Sequence, residues 1–88
     1  MRDYQVIISK IASKELRKLH KKEVQLIFSR IKALSTDPRP DGCKKLKGQS
    51  ENLWRIRMGD YRVIYSIDDT IRIIDVRRIG HRKDIYMK

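Results

Sequence analysis

Residues 53–65 read LWRIRMGDYRVIY, and the alternation in this stretch decides the fold. Apolar and aromatic residues take every second place on both sides of Gly59-Asp60, a pair suited to a two-residue hairpin turn. A tight turn there pairs Met58 with Tyr61, Arg57 with Arg62, Ile56 with Val63, and Trp54 with Tyr65. The period of two then sends Trp54, Ile56, Met58, Tyr61, Val63 and Tyr65 to one face, and Arg55, Arg57 and Arg62 to the other. The apolar face needs a cover. The arginine face poses a different problem, because like charges directly opposed across a ladder destabilise it. Such a pair persists where an anion, or a carboxylate such as Asp75 on the neighbouring strand, lies between the guanidinium groups. A solvated strand face is the alternative reading of this hairpin.

The cover comes from the first half of the chain. YQVII (residues 4–8) reads as a strand with Tyr4, Val6 and Ile8 on one face. From about Ser9 the period changes, and Ile11, Ala12, Leu16 and Leu19 form the stripe of a short helix with Ser9 or Ser13 as N-cap. After the polar run His20-Lys21-Lys22, the residues Val24, Ile27, Phe28, Ile31 and Leu34 mark an amphipathic helix. It ends before Pro38, and Pro40-Asp41-Gly42 turns the chain. Lys45-Leu46-Lys47 forms a minor or edge strand. Beyond the hairpin, the turn at Asp68-Asp69-Thr70 leads to a last strand over residues 71–78, from which IGHRKDIYMK trails. An odd-length turn puts Ile71 and Ile73 on the core side, and an even one puts Ile74 and Val76 there. The order β-α-α-β-β-β predicts an α+β fold, a helical hairpin packed on one face of a mainly antiparallel, twisted sheet.

The 88 residues make one domain, 1–88, with one core. With 22 Lys+Arg against 11 Asp+Glu, the formal net charge is +11, which selects polyanions or acidic proteins as partners. No apolar run approaches a bilayer span, so no membrane partner is expected. MRDYQVIISK is too short in its apolar run for a secretory signal, and the lone Cys43 reads as a reduced thiol. Both predict a cytoplasmic protein.

The tail concentrates chemistry. Arg77, Arg78, His81, Arg82, Lys83 and Tyr86 lie within ten residues. They combine groups that hold phosphate, one that titrates near neutrality, and an aromatic hydroxyl able to stack on a base or transfer a proton. No Cys/His spacing suits zinc, no acidic cluster suits a two-metal nuclease, and no glycine-rich phosphate loop occurs. No metal or cofactor is expected.

The segments LKGQSENLWRIRMGDYRVIY and IIDVRRIGHRKDIY resemble the RelE/ParE superfamily of toxin–antitoxin toxins, and the strand–helix–helix start agrees with that family's layout. The RelE branch of the family cuts mRNA without metal, mostly in the ribosomal A site. The resemblance therefore implies a cytoplasmic endoribonuclease that acts on mRNA, with the 70S ribosome and a cognate acidic antitoxin as partners. By the same likeness, Arg57, Arg62, His81, Arg82 and Tyr86 are the expected catalytic residues, with Arg55 beside them on the hairpin; Lys45, Lys47, Arg55, Arg77, Arg78 and Lys83 are the basic residues expected to contact RNA. Arg stands on the hairpin where some relatives carry Lys, and it is a poor proton-transfer group. Tyr86 and His81 therefore compete for that role. The ParE branch, which poisons DNA gyrase without cleaving RNA, and a plain RNA-binding module are the alternatives.

Overall fold

The computed structural model describes residues 3–47 and 52–81. Strand β1 (Gln5–Ile8) leads into helix α1 (Lys10–Arg17), and helix α2 (Lys21–Ala33) follows. Four more strands come next: β2 (Lys44–Lys45), β3 (Leu53–Met58), β4 (Tyr61–Asp68) and β5 (Ile73–His81). They form one sheet in the order β1-β5-β4-β3-β2, in which β1 runs parallel to β5 and the other pairs are antiparallel. The α+β layout read from the sequence is present.

Local chemistry places the helices. Ser9 caps α1, its Oγ accepting from the Ala12 N–H at 3.1 Å. Ala12, Ile27 and Ile31 of the helices, with Leu34 at the C-cap of α2, are buried against the sheet. Two members of the expected stripes are not covered: Ile11 is 59% exposed and Phe28 45%. Each lies about 100° round its helix from a buried neighbour, Ala12 or Ile27, and so falls outside the contact with the sheet.

The β3–β4 hairpin has the expected register, including Arg57 opposite Arg62 and Trp54 opposite Tyr65. Gly59 takes φ 59° in the turn, a conformation that favours glycine. The helix-facing residues Ile56, Met58, Val63 and Tyr65 are buried with Ile67, Ile74, Val76 and Ile79 in the main core.

The last strand differs from expectation in phase and length. It starts at Ile73, because the Asp68 carboxylate accepts from the Thr70 and Ile71 amides and lengthens the turn. Ile74 and Val76 face the core while Ile71 is 62% exposed, the even-loop outcome. The strand also continues through Ile79, Gly80 and His81, so these residues belong to the sheet rather than to a trailing segment. A bulge between Ile64 and Tyr65, which pair with Arg78 and Val76, leaves Arg77 as the extra residue. That extra residue is why Val76 and Ile79, three apart, are both buried.

A polar network closes the far end of the sheet. Arg39 binds Asp69 through both terminal nitrogens, at 3.3 and 2.8 Å, and its guanidinium lies 5.0 Å from the Trp54 ring centre. The Tyr4 hydroxyl donates to the same Asp69 at 2.6 Å.

Candidate nucleic-acid interface

The sheet face turned away from the helices carries the arginines. Arg55, Arg57 and Arg62 lie on adjacent strands, with Arg57 directly opposite Arg62. Their charges interact: the Arg55 guanidinium is held below the ordinary arginine value first by burial, then by repulsion from Arg62 and Arg57. The Nε atoms of Arg55 and Arg62 are buried and find no hydrogen-bond partner among the described residues. Buried donors of this kind are rare in native proteins and point to a ligand or to ordered water.

The surroundings shape this face into a site. Gly80 pairs with Arg62, so no side chain rises from β5 beside that guanidinium. On the other flank, Leu53 and Ile64 are buried together with Leu46 packed against them, giving an apolar border. Lys44 pairs with Arg55 and adds a fourth cation to the face. The sequence reading missed Lys44, because its place depends on where the two-residue edge strand starts. Lys45 pairs with Trp54, the helix-side position, and Lys47 is exposed beyond that strand.

Other expected site residues lie elsewhere. Asp75 does not separate Arg57 from Arg62; it pairs with Ser66 and binds the Arg77 Nε at 2.9 Å. Arg78 is held by Glu15 of α1, 2.8 Å from Nη2 to Oε2, and so points to the helix layer. His81 pairs with Tyr61 and meets its ring edge-on at 5.7 Å between centres, on the helix side of the sheet and away from the arginine row. The Tyr61 hydroxyl in turn donates to Glu23 at 2.7 Å. Arg82, Lys83 and Tyr86 lie outside the described residues. Among the described residues, no group of three or more His, Cys, Asp or Glu side chains is arranged to hold a metal ion. None of their helices is long and apolar enough to cross a membrane.

The family described as "ParE toxin of type II toxin–antitoxin system, parDE" matches residues 6–86. The chain belongs to the RelE/ParE family of type II toxins. The toxin RelE of Mycobacterium tuberculosis is 33% identical over 87 residues, covering 94% of this chain and 86% of that protein. Among solved structures, the RelE–RelB complex of Pyrococcus horikoshii contains a chain with TM-score 0.81 and 31% identity, covering 94% of this chain and 99% of that one. The RelBE2 toxin–antitoxin complex of M. tuberculosis gives TM-score 0.80 at 27% identity, covering 91% and 99% of the two chains. This RelE-type chain is therefore a toxin of a type II toxin–antitoxin system whose two helices and mixed sheet have the fold of RelE toxins.

Proposed function

We propose that this toxin is a metal-independent endoribonuclease that cuts mRNA, acting on the ribosome, and that the arginine face is where the scissile phosphate sits. One observation carries the reading. Three arginines share one sheet face, and two of them keep a buried Nε–H without an acceptor among the described residues. A phosphodiester supplies acceptors for such donors and relieves the repulsion among the charges.

In this mechanism a base removes the proton from the ribose 2′-hydroxyl, and the 2′-oxygen attacks phosphorus. The bond from phosphorus to the 5′-oxygen breaks, and an acid returns a proton to that oxygen. The products are a 2′,3′-cyclic phosphate and a 5′-hydroxyl. Arg57, Arg62 and Arg82 neutralise the pentacovalent phosphate, and Arg55 with Lys44 holds the flanking backbone. His81, on the far side of the sheet, is poorly placed for proton transfer, so the role falls to Tyr86.

The partner in the cell is a cognate acidic antitoxin, bound as a hetero-oligomer. The net charge of +11 favours it, and association should be fast and salt-sensitive. Solved relatives bear on this point: the P. horikoshii and M. tuberculosis structures are toxin–antitoxin complexes. The deciding experiment adds the purified toxin to translating ribosomes and maps mRNA ends by primer extension. New ends within coding sequence are expected. Intact mRNA alongside gyrase-dependent DNA breaks would instead support gyrase poisoning, a reading kept open by the ParE name of the matching family.

A further inference from the structure

Strand β1 ends at Ile8, opposite Val76, so among the described residues no strand lies beside the outer edge of β5 beyond Val76. Helix α1 takes over that edge. The Ser9 Oγ donates to the Arg77 carbonyl at 3.1 Å, and the Glu15 carboxylate accepts from the Ile79 N–H at 2.9 Å. The same carboxylate takes Arg78 by two donors, Nε at 3.1 Å and Nη2 at 2.8 Å to Oε2. Glu15 thus holds one backbone amide and one guanidinium of consecutive residues just past the bulge, where the β4–β5 ladder is at its most irregular. The next residue, Gly80, is the one opposite Arg62, and Arg82 follows two places later.

We propose that Glu15 is a positioning residue for the RNA site, setting the path of β5 after the bulge. Its place on a helix surface gives no hint of this in the sequence. Without it, β5 keeps the Ser9 bond at Arg77 and its inner edge to β4, and the bulge permits the segment after Arg77 to shift. A shift there moves the Gly80 backbone that pairs with Arg62, and with it the setting of that guanidinium. The role rests on the ribonuclease reading for its catalytic consequence, but the clamp has signatures of its own.

Three variants separate the parts. Glu15→Ala removes both grips. Glu15→Gln keeps an oxygen for the Ile79 N–H while losing the charge that holds Arg78. Glu15→Asp keeps the charge but falls a methylene short, and it replaces the alanine variant should that one fail to fold. Two measurements by NMR need no cleavage: amide hydrogen exchange at Ile79, Gly80 and His81, and the Arg62 Nε–Hε resonance with and without a short RNA oligonucleotide. Glu15→Ala is expected to speed exchange at Ile79 at least about tenfold, in line with local opening, and to move the Arg62 resonance, with Glu15→Gln restoring most of both. Single-turnover mRNA cleavage should fall about a hundredfold in Glu15→Ala, the scale of a 1 Å misplacement, with RNA affinity little changed and Glu15→Gln near wild type. Unaltered exchange and an unaltered Arg62 resonance in Glu15→Ala would overturn the clamp. Faster exchange with wild-type cleavage would reduce Glu15 to a structural contact and also overturn the proposal. A wild-type protein that cuts no RNA defeats the ribonuclease reading alone, because the Arg62 resonance still reports whether Glu15 sets the site.

Discussion

Arg57 and Arg62 face each other across the β3–β4 ladder on the open face of the sheet, while Asp75 is engaged by Arg77 instead of lying between them. A like-charge pair in direct cross-strand register weakens a sheet. The buried Nε–H groups of Arg55 and Arg62, which find no partner among the described residues, add to that cost. Stability is traded here for a place where an anion is welcome. The trade can be measured, because function and stability respond to the same substitution in opposite directions.

Arg62→Ala is expected to slow mRNA cleavage by about a hundred- to a thousandfold, the scale for removing one transition-state donor. The same change should leave the urea midpoint unchanged or raise it, since it removes both the repulsion and a buried donor. Parallel single-turnover kinetics and equilibrium unfolding test this. A large fall in stability would show that Arg62 serves the fold.

Cleavage of free RNA at high toxin concentration is expected to survive excess EDTA. The basis is the lack, among the described residues, of any group of side chains able to hold a metal ion. End-group analysis should find 2′,3′-cyclic phosphate and 5′-hydroxyl termini. A 5′-phosphate would mean attack by water and rule out the mechanism.

Tyr86→Phe keeps the ring and removes the hydroxyl. If that hydroxyl moves the proton, single-turnover cleavage should drop on the order of a hundred- to ten-thousandfold with RNA affinity preserved. His81→Gln should cost far less, because the imidazole packs on Tyr61 on the helix side. An acid limb near an imidazole pKa that disappears in His81→Gln would return the role to His81.

Stability should carry an acid limb from Glu23. Its carboxyl is pulled below the ordinary 4.5, first by the Tyr61 hydroxyl, then by the His20 amide and by the His20 and His81 charges, against the opposing effect of burial. A carboxyl with a depressed folded pKa binds its proton less readily when folded than when unfolded. Its contribution is therefore complete above the ordinary value and is lost as the pH falls through the depressed one. Urea midpoints compared at about pH 6 and about pH 3 should differ less in Tyr61→Phe than in the wild type. An equal difference in the two proteins would remove Tyr61 as the cause.

The phase of β5 has its own test. Ile74 is fully buried and Ile71 62% exposed, so Ile74→Ala should destabilise by about 2–5 kcal/mol. Ile71→Ala should stay within about 0.5 kcal/mol, as surface changes usually do. Equal effects in chemical denaturation would contradict the register.

What was legible in the sequence was what covalent geometry propagates locally. The two-residue turn at Gly59-Asp60 locks the hairpin register, so alternation along residues 53–65 correctly assigned Trp54, Ile56, Val63 and Tyr65 to the core side and the three arginines to the other face. The Ser9 cap and the buried spacing of Ile27, Ile31 and Leu34 are local in the same sense. The tertiary structure decided whatever depended on phase beyond a longer turn or on a distant partner. The Asp68 side chain lengthens the turn before β5, and the bulge at Arg77 shifts phase again, so no alternation rule carries through to His81. Arg78 looked like one more cation for RNA, yet a carboxylate 63 residues earlier holds it against the helix layer. A strand pattern states which residues share a face. Which face, and facing which neighbours, is settled only when hydrogen bonds and opposite charges from remote segments choose among registers that are locally equivalent.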